Sequence, residues 1–453
     1  MRTSWSLRSS QWELSVPAEA LLHPEHRSVP RSARRSRPIV DIVAPIYLVS
    51  YVLVVFSPFE VLIGYQLSIP TFLISVFGVC VLVITPTDRL RVMPVSLALL
   101  GFLAWGLLSV LWSDDRASTI LFSRYELIPT LVTMGVVGTM APRIATRTLL
   151  TLSLVLCGWS LMISLLLPTS RALAVEDGAV DTAFRGTFGH KNVLGIFVVL
   201  TLAMVLGLYH GRFRRTIIVG LVATAVATRS ATTASGLLAI SFVWFWILAI
   251  GRGRSQRDRR LLFAASLASV VGALLSAFRL VPVLLEVYNK DLTFSGRTLI
   301  WGATAGAVVD RPLQGYGYAG VFTEVPTVLT MRLWHEIGFE ASHTHSGPLK
   351  ILLDLGLVGF LLLGLFLVDI LRRALHLNRH ADTRPYGLWG VMALTSMLVM
   401  SLAEPLLNGA YLGYLVIMWS IMARLDAELS RPARVGASQQ RATVFGLRSV
   451  SGA

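Results

Sequence analysis

The chain has 453 residues, 54% of them hydrophobic and 14% charged, with a formal net charge of +15. A soluble domain carries about 25% charged residues, so a string of soluble domains is excluded. The basic residues sit in short loops between apolar runs and form no soluble basic domain, which excludes nucleic-acid binding as the source of the charge.

Residues 1–40 hold Arg31, Arg34, Arg35 and Arg37 among serines and prolines, and read as a disordered basic cytoplasmic tail. No small-residue cleavage site closes the first apolar run, so a cleaved signal peptide is not expected. Twelve apolar runs follow, at 41–57, 69–85, 93–112, 127–141, 148–167, 192–209, 216–233, 236–250, 261–279, 346–371, 385–401 and 407–423. Most are about the length a membrane-spanning helix needs. Spans one to nine thus fill 41–279, spans ten to twelve fill 346–423, and 424–453 form a second cytoplasmic tail. The prediction is an all-α polytopic membrane protein with about 12 transmembrane helices.

The arginines test that count. With the N-terminus in the cytoplasm, inner segments hold 28 of the 40 Lys and Arg, including HGRFRR (210–215) and GRGRSQRDRR (251–260). Every second loop is Arg-rich, as the positive-inside rule demands, and one span more or fewer would misplace the later loops. Cys80 and Cys157 both lie inside apolar runs, so neither a disulfide framework nor a metal site is implied.

Two outer loops are substantial, Pro168 to Lys191 and 280–345. The second is too long for a simple connection and is expected to be functional. It reads as a helix from Arg297 to Val309, a glycine-rich turn from Gly315 to Gly320, and a further helical piece from Leu329 to Ile337. It closes on SHTHSGPLKILLDLGLVG, Ser342 to Gly359. Ser346 suits an N-cap and Pro348 the first turn of the tenth span. The free N–H groups there offer a phosphate site, with His345 at its mouth. Lys350 and Asp354, at i and i+4, can pair on one face. Plainer alternatives stand beside these: His343 and His345 as a solvated interfacial pair, and Lys350–Asp354 as a structural ion pair.

The stretch follows H-[NSQ]-x9-G-x-x-G through His345, Ser346, Gly356 and Gly359. It resembles the motif shared by O-antigen ligases, Wzy-type polysaccharide polymerases and bacterial O-oligosaccharyltransferases. SGRTLIWGATAGAVVDRPLQGYGYAGVF (295–322) is similar to the family's large-loop segment, with Arg297, Trp301, Pro312, Gly315 and Gly317 on its positions. RGTFGHKNVLG (185–195) looks most like the exopolysaccharide-polymerisation branch. The family usually has a Ser-Arg or Ser-Lys pair near the outer end of the seventh span; here TRSATTASG places Arg229 before Ser230.

The resemblance implies a GT-C-like membrane glycosyltransferase working on the outer face of the bacterial cytoplasmic (inner) membrane, with both termini cytoplasmic. Its donor would be an undecaprenyl-pyrophosphate-linked oligosaccharide and its acceptor a hydroxyl on another lipid-linked glycan. A chain-length regulator and a flippase are the implied protein partners, alongside membrane lipid. The departing pyrophosphate gains negative charge, which fixed arginines stabilise; Arg297 ranks first, then Arg229 and Arg185. A histidine neutral at working pH can take the hydroxyl proton, and His345 is the expected general base, ahead of His343 and His190. His190 and Lys191 either contact the donor phosphate or merely cap the sixth span. Ser346 joins His345 in substrate binding. Tyr316 and Tyr318 either stack on sugar rings or belong to an interfacial aromatic belt. Asp114, Asp115, Glu176, Asp177 and Asp181 make no DxD pattern, so no metal and no cofactor is expected. Glu404, before Pro405, reads as a structural turn residue. The alternatives are ligase-type transfer of a finished glycan to an envelope acceptor, or a transporter or flippase.

Overall fold

The computed structural model describes residues 39–56, 68–166, 173–176, 179–252, 257, 296–323 and 325–430. The two predicted tails (all but the end of the first and the start of the second), the ninth span at 261–279 and residues 280–295 of the large loop lie outside the described residues.

Helices dominate. They are α1 (Val40–Val55), α2 (Ser68–Val83), α3 (Thr87–Arg91), α4 (Leu97–Leu108), α5 (Arg116–Phe122), α6 (Ile128–Thr139), α7 (Pro142–Leu166), α8 (Lys191–Leu208), α9 (Arg214–Ala227), α10 (Ala231–Arg252), α11 (Arg297–Asp310), α12 (Val328–Ile337), α13 (Gly347–Leu377), α14 (Arg384–Ser401) and α15 (Gly409–Leu429). By length and composition, Arg116–Thr139, Pro142–Ile163, Lys191–Leu208 and Gly347–Leu377 can each cross a membrane. Shorter apolar helices accompany them at Val40–Val55, Pro70–Val83, Leu97–Leu111 and Ala231–Ile247.

Three details differ from expectation. The helix expected over 127–141 begins at Arg116, because Asp115 Oδ1 accepts the Ser118 N–H at 3.0 Å and caps it. A π-helical turn, Ser123–Leu127, joins α5 to α6, so Arg116–Thr139 runs on as one 24-residue element. The polar residues Arg116, Ser118, Thr119, Arg124 and Glu126 hide this first part from a hydropathy reading. The span expected over 216–233 stops at Ala227. Arg229 takes a left-handed φ of 48°, and Ser230 Oγ accepts the Thr233 N–H at 3.2 Å to start α10. Finally, the fold is not purely helical. Antiparallel strands β1 (Leu173–Glu176) and β2 (Ala179–Phe184) pair Val175 with Val180 between α7 and α8.

α14 packs against α8, α10 and α13, and α15 against α6 and α13. The deepest side chains include Trp389, Trp419 and Phe366. On α13, Leu361, Leu365 and Val368 are exposed while Leu363, Phe366 and Ile370 are buried. A helix apolar on both faces, one of them uncovered, is built for contact with lipid.

The break in α13 is what positions the site. Gly356 interrupts the helix at φ 62°, ψ −165°, a conformation almost confined to glycine. The Pro312–Gly317 segment enters the gap. Leu357 N–H donates to Pro312 O (2.8 Å) and Val358 N–H to Leu313 O (3.2 Å). In return Tyr316 N–H donates to Leu353 O (2.9 Å) and Gly317 N–H to Asp354 O (2.8 Å). Trp105 Nε1 donates to Leu355 O at 3.0 Å and Trp112 Nε1 to Gln314 O at 3.1 Å. A broken helix at membrane depth is tolerable only where its freed backbone groups find partners, and these bonds supply them. A Cβ on Gly356 would lie 2.3 Å from Leu313 C and O; one on Gly315 would lie 2.6 Å from Asp354 O. The glycines of the two quoted motifs therefore meet each other's backbone.

Candidate functional site

Four segments converge at one end of the bundle. They are the start of α8, the start of α11, the 342–346 turn leading into α13, and the turn between α14 and α15. Glu404, in the last of these, is the hub. Its Oε1 accepts from Arg297 Nη2 at 3.0 Å and from Asn192 Nδ2 at 2.7 Å. Its Oε2 lies 4.0 Å from His345 Nδ1. The carboxylate is 10% exposed, and burial pushes its pKa up against the lowering effect of Arg297 and Asn192.

The two histidine rings lie against each other, centroids 3.9 Å apart and tilted by 51°. His343 Nδ1 accepts the His345 N–H at 3.1 Å. His345 takes a left-handed φ of 48°, and its own Nδ1 is buried without a hydrogen-bond partner. Non-glycine residues in that region are strained and gather at functional sites. Desolvation, reinforced by Lys350, Arg297 and His190, lowers the His343 pKa to about 4. Desolvation, then His343, Arg297 and His190, lowers His345 to about 3. Both rings are therefore neutral at pH 7, in a positive local field.

The supports are local. Thr344 Oγ1 donates to Ser346 O at 2.9 Å, fixing the turn. Ser346 occupies the N-cap position with Pro348 just inside, but its side chain makes no capping bond. Lys350 Nζ meets Asp354 Oδ2 at 2.8 Å, as the i, i+4 spacing predicts, and Asp354 also accepts the Ala319 N–H at 3.1 Å. Beside this network, Tyr318 OH donates to Glu126, which lines a cavity of about 350 Å³ with Tyr51, Phe122, Tyr125 and Gly409.

Of the residues singled out in the sequence, the structure brings Arg297, His343 and His345 together. His190 caps α8, accepting the Asn192 N–H on Nδ1 at 3.1 Å, close to both other histidines. Lys191 is the first residue of that helix. Arg185 donates to Gly189 O at 3.4 Å, one residue from His190. Arg229 lies in the α9–α10 turn; close packing of Gly195 on Thr233 sets that turn at the same end as α8's start. Tyr316 is not brought to the cluster. It is 4% exposed, its hydroxyl donates to Ala307 O at 3.0 Å, and Arg311 covers its ring at 4.6 Å.

Glu404 and Asn192 are the residues that sequence reasoning missed. The Glu-Pro pair reads as a turn, yet the carboxylate holds Arg297. Its one signal is a lone acid between two apolar spans. His343, His345 and Glu404 also place three potential metal-ligand atoms within 4.8 Å of one another. Glu404 Oε1 is already taken by Arg297 and Asn192, and the field of Arg297 and Lys350 at the rings is positive. That field favours an anion over a dication.

Residues 216–364 match the family model described as O-antigen ligase (Wzy_C). Over 255 residues the chain is 28% identical to the exopolysaccharide production protein ExoQ of Rhizobium meliloti (strain 1021). That match covers 51% of this chain and 57% of the relative's length. The family segment contains Arg229, Arg297, His343, His345 and both motif glycines; Arg185, His190, Asn192 and Glu404 lie outside it. With its apolar helices, this is a multi-pass membrane protein. Over residues 216–364 it is similar to the O-antigen ligase family, and over about half of its length to an exopolysaccharide production protein.

Proposed function

We propose that the protein is a membrane glycosyltransferase that joins undecaprenyl-pyrophosphate-linked glycans, a polysaccharide polymerase. The observation that carries this reading is the Glu404–Arg297–His345 cluster, a carboxylate-anchored arginine beside a neutral imidazole. In the reaction an acceptor hydroxyl attacks the anomeric carbon of the donor. The new C–O bond forms as the C–O bond to the diphosphate breaks, and the diphosphate leaves with that electron pair. Arg297, held by Glu404, receives the growing charge as a planar fork. The hydroxyl proton passes to His345.

The low His345 pKa belongs to the pocket without its anion. A diphosphate beside Arg297 reverses the local field and raises the imidazole's proton affinity. Glu404 Oε2, facing His345 Nδ1, sets the tautomer: Nδ1 carries the hydrogen and Nε2 keeps its lone pair for the hydroxyl. The 4.0 Å gap needs to close by about 1 Å to become a hydrogen bond, which is common when a ligand fills an open site. Neither step calls on a metal.

Twelve spans, an inner-membrane location, cytoplasmic termini, and a flippase and chain-length regulator as partners belong to the same proposal. The arginine distribution supports the topology. The Rhizobium relative's name refers to exopolysaccharide production and favours polymerisation; the family description favours the ligase reading. Product length decides between them. Purified protein given lipid-linked repeat units should yield a ladder of lengthening chains. Transfer of one finished chain to a different acceptor would establish the ligase instead. A transport role is disfavoured because the polar cluster sits at helix ends and not at the midplane.

A further inference from the structure

The HGRFRR loop enters α9 beside a groove that the transfer chemistry does not use. The groove, of about 440 Å³, lies between α8, α9 and α10 and is lined by Leu202, Leu206, Ile218, Leu237 and Ile240. Arg214 stands at its mouth. One guanidinium nitrogen donates to Leu206 O at 2.7 Å, and the group lies 5.8 Å from the Trp244 ring. Its Nε is buried with no hydrogen-bond partner.

Three arginines of the neighbouring Arg-rich loops hold carboxylates: Arg89 pairs with Asp41, Arg372 with Asp369, and Arg373 with Asp426. Among the described residues, Arg212, Arg214 and Arg215 have no such pair; Arg212 rests on the Phe213 ring at 4.6 Å. Phe213 is 53% exposed, and Val219, Val226 and Leu238 present apolar surface along α9 and α10. A guanidinium drawn into an apolar groove is costly without a counter-charge, and among the described residues no carboxylate supplies one, so an external anion would be favoured there. A basic pocket between membrane helices, continuous with an apolar groove, fits a lipid headgroup and its chain.

We propose that this groove binds an anionic glycerophospholipid of the adjacent leaflet, its phosphate on Arg214 and one acyl chain between α9 and α10. The site is independent of the transfer reaction at the opposite end of the bundle.

The test is native mass spectrometry of the full chain in mild detergent, titrated with dioleoylphosphatidylglycerol, dioleoylphosphatidylcholine or inorganic phosphate. Phosphatidylglycerol should bind at one saturable site, and Arg214→Ala should weaken it at least about fivefold, the value of one basic residue at an anionic surface. Ile218→Trp fills the groove and leaves all three arginines in place; it should remove the same adduct. Equal binding of both lipids, or displacement of phosphatidylglycerol by an equal concentration of phosphate, would overturn the proposal. Should Arg214→Ala not yield folded protein, Ile218→Trp alone decides: loss of the adduct supports the site, and its retention overturns it.

Discussion

Gly356→Ala is the sharpest test of how the loop is held to the membrane helices. The residue sits at φ 62°, ψ −165°, where any side chain costs about 1–3 kcal/mol. The new methyl would meet Leu313 C and O at 2.3 Å, well inside contact distance. Relief requires the Pro312–Gln314 segment to move away. That breaks the Leu357–Pro312 and Val358–Leu313 hydrogen bonds, each worth about 1 kcal/mol net. The summed cost is about 3–5 kcal/mol, concentrated in the loop that begins at Arg297. Thermal unfolding in detergent should show a clearly lowered midpoint, and glycan transfer should fall to background. Gly364→Ala is the matched control on the same helix: nothing lies within 4 Å of its added methyl. Alanine is the better helix former, so this variant should be unchanged or slightly more stable. If Gly356→Ala behaved like Gly364→Ala, the loop would not be seated in the break and the reasoning would fail.

Glu404→Gln keeps the shape but loses the charge that holds Arg297, and should lower the transfer rate at least tenfold while leaving the protein folded, read by reconstituted transfer and gel filtration. Lys350→Met leaves Asp354, 1% exposed, without its cation and should cost about 3–5 kcal/mol; adding Asp354→Asn should recover much of it, measured by thermal midpoint. His343 and His345 have folded pKa values of about 4 and about 3, below their ordinary 6.5. The unfolded chain therefore binds more protons between these values, so stability is full above pH 6.5 and declines as pH falls towards 4. Glu404, raised by burial, acts in the opposite direction from its ordinary 4.5 upward, in wild type and histidine variant alike, so the two are compared between pH 5 and 6.5. There a His343→Gln/His345→Gln variant should lose less stability on acidification than wild type. Chelation with EDTA should leave transfer unaffected; activity lost and restored by a divalent cation would assign His343, His345 and Glu404 to a metal.

Local signals in the sequence were strong where one short stretch contains the whole interaction. Lys350–Asp354 follows from i, i+4 spacing, and the two loop helices follow from their own residues. Arg297 and His345 carry a motif. Glu404 was not legible, because its meaning comes from Arg297, 107 positions away, and Asn192, 212 positions away. Tyr316 looked available between two glycines; in the fold those glycines allow the backbone to enter the α13 break, and the ring is carried into the loop's own core. The start of α5 escaped because polar residues near the end of a membrane helix look like a loop, and only the fold shows Asp115 capping it.

The central claim is that Arg297 receives diphosphate charge while His345 takes the acceptor's proton. Reconstituted protein supplied with undecaprenyl-pyrophosphate-linked repeat units, and compared with Arg297→Lys and His345→Ala, tests it directly. Wild type should give a glycan ladder, and neither folded variant should give product or partial extension. Near-normal ladders from Arg297→Lys or His345→Ala would contradict it.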